Sequence, residues 1–382
     1  MEFHEKSIEL NITHELLNLS DSWYWFLTDT PLWRYWKPRY KLPFFKYPKS
    51  TSGGFHITTE GKNDPTGNAG GGYDVRIKSG SGGHLLFIQY KKGDLVKNSP
   101  SPKSIFENFP HEHYVFKINS TTTNQHFLLK NLSNSEGSKL GNAVVYALPL
   151  IENMQELEEN AGRLLAKTKF ISVLDIDKQA SEQNPPITIE KDKEHKVRID
   201  KSDMNRCEVN NTFFRFTKED RSKEILTDII ALRFEKILKQ LLLYINSIYN
   251  SYNLDRNNLQ YGILQSFIQY QRYLLHYFEV SPSSLANSDN QKYLNYFDET
   301  EFLGYKNDSR SIQILASVFT ELMKYDNIIN EVTGNSEIFF SREIPSYKPT
   351  FLISLDNENS IRLNFEDKEA IRTLENFSYI QI

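Results

Sequence analysis

The chain has 382 residues, with 45 Lys and Arg against 49 Asp and Glu and a formal net charge of −4. That length holds two or three domains with cores of their own, and the charge balance excludes a global basic field, so any nucleic-acid surface must be a local patch. A single cysteine, Cys207, excludes an internal disulfide and a cysteine-based zinc site. Residues 1–10 mix charges and lack the apolar core of a signal peptide. No apolar run approaches the length that crosses a bilayer, so a soluble, cytoplasmic protein without a membrane partner is expected.

In chain order, helical spacing first predicts a helix over 11–27. All four tryptophans fall between positions 23 and 36, as an aromatic anchor against the core or a partner would require. Lys37, Arg39, Lys41, Lys46 and Lys49 then interleave with Trp36, Tyr40, Phe44, Phe45 and Tyr47, a composition suited to tracking a nucleic-acid backbone with stacking. The alternative is a Pro-rich arm packed on the domain. An apolar-rich segment over 54–59 closes on Glu60. The glycines at 67 and 70–72 open a strand, not a helix, and lack the Gly-Lys-Ser/Thr ending of a phosphate loop.

The most informative stretch follows. Gly72-Tyr73-Asp74-Val75-Arg76-Ile77, a Gly/Ser turn, and Leu85-Leu86-Phe87-Ile88-Gln89-Tyr90-Lys91 read as a β-hairpin. Side chains two apart on a strand share a face, so Gln89 and Lys91 sit above Leu85 and Phe87, with Leu86, Ile88 and Tyr90 opposite. A strand apolar on both faces is central and buried. An amide and an ammonium at its end are costly unless they face a site. An edge hairpin with solvated charges is the bland alternative.

Beyond the hairpin, spacing predicts a strand over 113–118, a helix over 123–132 capped by the Ser/Thr run before it, and a buried strand over 143–150. Next come a helix over 152–167, a strand over 170–176, and strands over 195–199 and 212–216 that extend this domain. From 222 the pattern turns helical. Leu226, Ile230, Phe234, Ile237, Leu238, Leu241, Ile245 and Ile248 form one stripe, with Arg233 among the charges placed away from it. Helices over 259–278 and 312–332 follow, then a hairpin of 351–355 and 361–365. This divides the chain into a domain over 1–220 and a mainly helical region over 221–382 that docks partners or forms a homo-oligomer.

Hydrolysis of a phosphodiester needs a divalent cation, an activated water and positive charge for the developing oxyanion. Magnesium prefers oxygen ligands. Asp74 offers a carboxylate oxygen, Gln89 an amide oxygen and Tyr90 its backbone carbonyl, and Glu60 would add a second carboxylate. Lys91 can orient the attacking water and neutralise the phosphate. Lys92 points away on an ideal strand and is assigned backbone contacts.

At these residues the chain resembles the PD-(D/E)XK, or restriction-endonuclease-like, superfamily, in the branch with Gln in place of the acid before x-Lys. That branch includes type IV restriction enzymes and nuclease effectors of bacterial anti-phage systems. The local match spans about residues 55–150. The resemblance implies an α/β (α+β) fold with a mixed sheet flanked by helices, Mg²⁺ or Mn²⁺ as cofactor, and Asp74, Gln89, Lys91 and Glu60 as the site. It also implies that a polar residue on the helix over 123–132 faces the site, here Gln125 or His126. The expected function is cleavage of double-stranded DNA by a defence effector controlled by a separate sensor or ATPase subunit. An RNA-directed nuclease on the same site and a non-catalytic nucleic-acid-binding or assembly subunit are the alternatives.

Overall fold

The computed structural model describes residues 4–29, 55–59, 72–79, 85–97, 112–120, 124–135, 143–182, 186, 188–201, 207–209, 220–251, 256–285, 294, 297–325, 351–355 and 361–365. The first helix, α1 (Glu5–Asp29), places Ile8, Ile12, Leu16, Leu19, Trp23 and Leu27 three or four apart, and all six are buried. It begins earlier than the predicted residue 11, because Ile8 belongs to the stripe and Glu5 suits the positive end of the helix dipole.

Strands β1 (Phe55–Thr59), β2 (Val75–Ser79) and β3 (Leu85–Tyr90) form an antiparallel meander. β4 (Asp94–Val96) and β5 (His113–Asn119) then leave for a second sheet. Helix α2 (Gln125–Ser135) leads back to β6 (Val144–Pro149), which lies parallel to β3, as a crossover connection through a helix allows. β7 (Thr168–Ser172) closes the first sheet antiparallel to β6, giving the order β1-β2-β3-β6-β7. β3 is therefore central, as its two apolar faces require. β8 (His195–Asp200) and β9 (Cys207–Val209) complete the second sheet in the order β4-β5-β8-β9.

One core lies between the sheets. Phe87, Tyr146, Leu148 and Ile171 pack there with Phe116, Ile118, Val197 and Ile199; each such side chain contributes about 1.5–3 kcal/mol on burial. The chain crosses from β3 to β4 at Gly93, where a Cβ would stand 2.7 Å from the Phe116 ring. No larger residue fits that crossing without moving the ring. The other face of the first sheet is covered by α1, whose Thr13 hydroxyl bonds the Tyr90 hydroxyl at 2.8 Å.

Two predicted elements come out differently. The helix over 152–167 is a short α3 (Met154–Glu159), a break at Gly162 with φ +84°, and a 3-10 turn over Leu164–Lys167. The strand over 170–176 ends at Ser172, and α4 (Val173–Ser181) follows at once. There Val173, Ile176 and Ala180 are buried at helical spacing, and that periodicity outweighs their β-branched preference. The predicted strand over 212–216 and the aromatic-basic arm over 36–49 lie outside the described residues.

The predicted helices are present as α5 (Ser222–Ser251), α6 (Arg256–Phe278) and α7 (Ser309–Met323); α6 and α7 each start three residues early, and α7 ends at Met323, capped at Lys324, short of the expected 332, while residues 326–332 lie outside the described set. They do not form a unit separate from the α/β part. The compact units are Met1–Gly334 and Asn335–Ile382, and the expected 220/221 boundary falls inside the first of them. The cause is buried ionic and aromatic contact across that boundary. Trp23 of α1 meets Phe234 of α5 with ring centroids 4.3 Å apart. Arg233, expected on the solvated side, is buried and bonds the buried Asp21. Arg310 of α7 bonds Asp220 and donates to the Ala166 carbonyl at 2.7 Å and to that of Thr168. In the second unit, β10 (Phe351–Leu355) and β11 (Ile361–Phe365) pair antiparallel, the hairpin that alternation predicted. No helix among the described residues is long and apolar enough to cross a membrane.

Because Asp220 would lose its Arg310 partner and keep only the Phe170 and Ser222 donors and the Lys169 charge, Arg310→Met is expected to lower unfolding stability by about 1–3 kcal/mol, read from urea denaturation. Arg310→Met combined with Asp220→Asn should recover part of that loss.

Candidate active site

The site forms where β2 begins and β3 ends. Asp74 directly precedes β2, and its backbone N–H continues the ladder by donating to the Ile88 carbonyl at 2.9 Å. Its side chain turns back toward β3. Asp74 Oδ2 accepts from the Tyr90 backbone N–H at 2.8 Å and from Gln89 Nε2 at 2.6 Å. The same amide nitrogen donates to the Tyr90 carbonyl at 3.0 Å. These two acceptors fix the orientation of Gln89, since the reversed amide would set oxygen against carboxylate oxygen. Its Oε1 is then buried without a hydrogen-bond partner. A buried carbonyl oxygen in that state is costly, and a hard cation is one group that would satisfy it.

Lys91 follows the end of β3 and is held by α2. Its ammonium donates to Gln125 Oε1, and Gln125 Nε2 donates to the Gly72 carbonyl at 3.1 Å, two residues before Asp74. Gly72 has φ +73°, and a Cβ there would press on the Leu128 Cβ at 3.1 Å, so the turn that presents Asp74 needs glycine. The hairpin thus brings the predicted acid, amide and ammonium to one end of the sheet.

The remaining predicted residues divide. Gln125 reaches the site. His126 does not: about 100° round the helix from Gln125, it is fully buried, with Nδ1 3.1 Å from the Tyr146 hydroxyl and Nε2 3.3 Å from Asp177 Oδ1. It braces α2 and α4 against the sheet. Tyr90 has its ring on the α1 face and its carbonyl at the site, where Gln89 already donates to it. Lys92 is half-buried beyond the strand end. Glu60 lies outside the described residues.

Two carboxylates were missed. Glu5, on the first turn of α1, stands 3.9 Å from the Lys91 ammonium. Glu9, one turn on, is buried and bonded to Lys6 at 2.6 Å. Burial pushes the Asp74 carboxyl up to about 6, the negative charges of Glu5 and Glu9 add to that rise, and the Tyr90 N–H and the Lys91 charge oppose it. The available signal was spacing: Glu5, Glu9 and Thr13 lie four apart, on the side of the helix that carries its buried stripe.

Among the described residues no three His, Cys, Asp or Glu side chains converge as a metal-binding group. A cation here would therefore need amide, backbone or water oxygens besides the carboxylates, which is how magnesium is commonly held. The partnerless Gln89 oxygen and the mutually repelling acids fit such a group. Comparison of the chain with protein-family models, with curated proteins and with solved structures gives no match.

The raised Asp74 carboxyl has a signed consequence for stability. Its folded value, about 6, exceeds the ordinary 3.8, so the folded state holds a proton that the unfolded chain loses, and stability falls as pH rises through that window. Asp74→Asn is expected to melt higher than the parent at pH 8 and about equally at pH 4. Millimolar Mg²⁺ should raise the melting temperature of the parent at pH 8 and leave the variant unmoved.

Proposed function

We propose that this chain is a Mg²⁺-dependent nuclease that hydrolyses double-stranded DNA. The carrying observation is the convergence of Asp74, Gln89 and Lys91 at one end of a central strand, with the Gln89 carbonyl oxygen buried and unsatisfied. The topology supports the restriction-endonuclease-like reading: a helix, a three-strand meander, a helix, and a fourth strand parallel to the third. Asp74 and Gln89, with Glu5 or Glu9, would hold the metal ion. When bound, that ion supplies Lewis-acid polarisation of the phosphate and acidifies a coordinated water.

The chain's own groups do the rest. Asp74 must be ionised to act as a ligand, and the Tyr90 N–H and the Gln89 amide keep it aimed at the strand end. Lys91, positioned by Gln125, places a fixed positive charge where the phosphoryl oxygens gain negative charge. Glu5 beside Lys91 keeps that ammonium at the mouth of the site. In this reading the chain is an effector of an anti-phage defence system, and a partner subunit releases it. The purified chain alone should therefore cut duplex DNA slowly at physiological Mg²⁺.

Lys91→Ala is expected to reduce duplex cleavage by about 10²–10³-fold with an unchanged melting temperature. Matched RNA run at the same salt and Mg²⁺ should be cut more slowly than DNA. Unchanged cleavage by a folded Lys91→Ala chain would overturn the assignment. Cleavage should rise with pH through about 6 as Asp74 ionises, and the midpoint should move to lower pH as Mg²⁺ is raised, because the cation competes with the proton.

A further inference from the structure

A concavity of about 390 Å³ opens where the turn before β7 meets the start of α7. Five cations line it, Arg163, Lys167, Lys201, Lys306 and Arg310, against two carboxylates, Glu279 and Asp308. In a chain of net charge −4 this is a local reversal of sign, the condition for a polyanion to find a surface on an otherwise acidic protein. Arg310 is occupied in structure by Asp220. The other four differ. Arg163 is oriented by Glu279, and Lys201 bonds Glu112 at 3.0 Å. Lys306 is three-quarters exposed, with Glu279 no nearer than 3.9 Å. Lys167 is exposed and has no ion-pair partner among the described residues.

The sheet relates this cleft to the candidate active site. The Lys91 N–H bonds the Ala147 carbonyl, and the Leu150 N–H bonds the Lys167 carbonyl. The backbones of Lys91 and Lys167 thus meet the chain of β6 and the residue after it three residues apart and on opposite sides, a separation of those two backbones on the order of 10–15 Å. Helix α1 gives a second ruler. Glu5 meets Lys91, and Glu15 accepts from the Gly162 and Leu165 N–H groups at 3.1 Å beside the cleft. The rise between those positions is about 15 Å. Both lie well within one turn of duplex DNA, about 34 Å.

We infer that the cleft formed by Arg163, Lys167, Lys201 and Lys306 binds a backbone phosphate of the strand whose scissile bond lies at Lys91. The inference rests on the nuclease reading for the identity of the strand. Contacts of this kind set the register of a duplex without reading sequence, and each neutralised phosphate adds to the salt dependence of binding.

The test is binding of a fluorescent DNA duplex to the full chain in EDTA, where cleavage is absent, between about 50 and 200 mM salt. Lys167→Gln with Lys306→Gln, both exposed positions, should weaken binding about tenfold and lower the salt slope by about two. Lys167→Glu with Lys306→Glu should weaken it further. Unchanged affinity and slope in the folded variants would overturn the inference. So would pyrophosphate binding that these substitutions abolish while duplex affinity stays the same, since the cleft would then serve a free phosphate. Failure of the nuclease reading looks different: the duplex binds through the cleft, yet Mg²⁺ produces no cleavage.

Discussion

A carboxylate half-buried at the end of a β-sheet must be answered by donors or by cations, and Asp74 has both around it. The Tyr90 N–H and the Gln89 amide spend their hydrogen bonds on one of its oxygens. In doing so they turn the Gln89 carbonyl oxygen into a buried atom with no donor of its own. The acids of α1 raise the local negative potential further, and the Lys91 charge answers only part of it. A protein that needed only a stable hairpin gains nothing from this arrangement, because an apolar pair at the same positions would avoid burying the charge. The strain is the physical argument for a ligand, and the proposed metal ion is the group that would relieve it.

Some of this was legible in the amino-acid order. β3 betrayed itself by being apolar on both faces, and the polar residues at its end pointed to a site there or to solvated charges on an edge. The terminal hairpin of 351–365 was plain from alternation alone. The misses share a cause, which is that distant contacts decide what local pattern leaves open. Glu5 and Glu9 come to the site from a helix remote in sequence. Arg233 looked solvated until Asp21, from α1, was there to neutralise it. Val173 and Ile176 are β-branched and suit a strand, yet the chain turns helical because burial recurs at the helical period. His126 and Gln125 are adjacent in sequence, and a rotation of one residue sends one into the core and the other to Lys91.

Helix α1 explains why the helical region cannot be parted from the α/β part. One of its faces carries Thr13 to Tyr90 and Glu5 to Lys91; its later turns bury Trp23 against Phe234 and Asp21 against Arg233. Further on, Asp220 and Arg310 tie the edge strand β7 to α7 by way of the Thr168 carbonyl. The Asp21–Arg233 pair is buried at both ends, so removing one partner leaves the other charge unanswered. Such contacts join, within Met1–Gly334, what the sequence pattern divides into two halves.

The crossing at Gly93 has a mechanical meaning. Only Lys92 separates Lys91 from Gly93, where the backbone rests against the Phe116 ring, and Phe116 belongs to the second sheet. A closely packed interior transmits displacement instead of absorbing it. A displacement of β5 would therefore reach the backbone beside Lys91, at the end of β3 that carries Gln89.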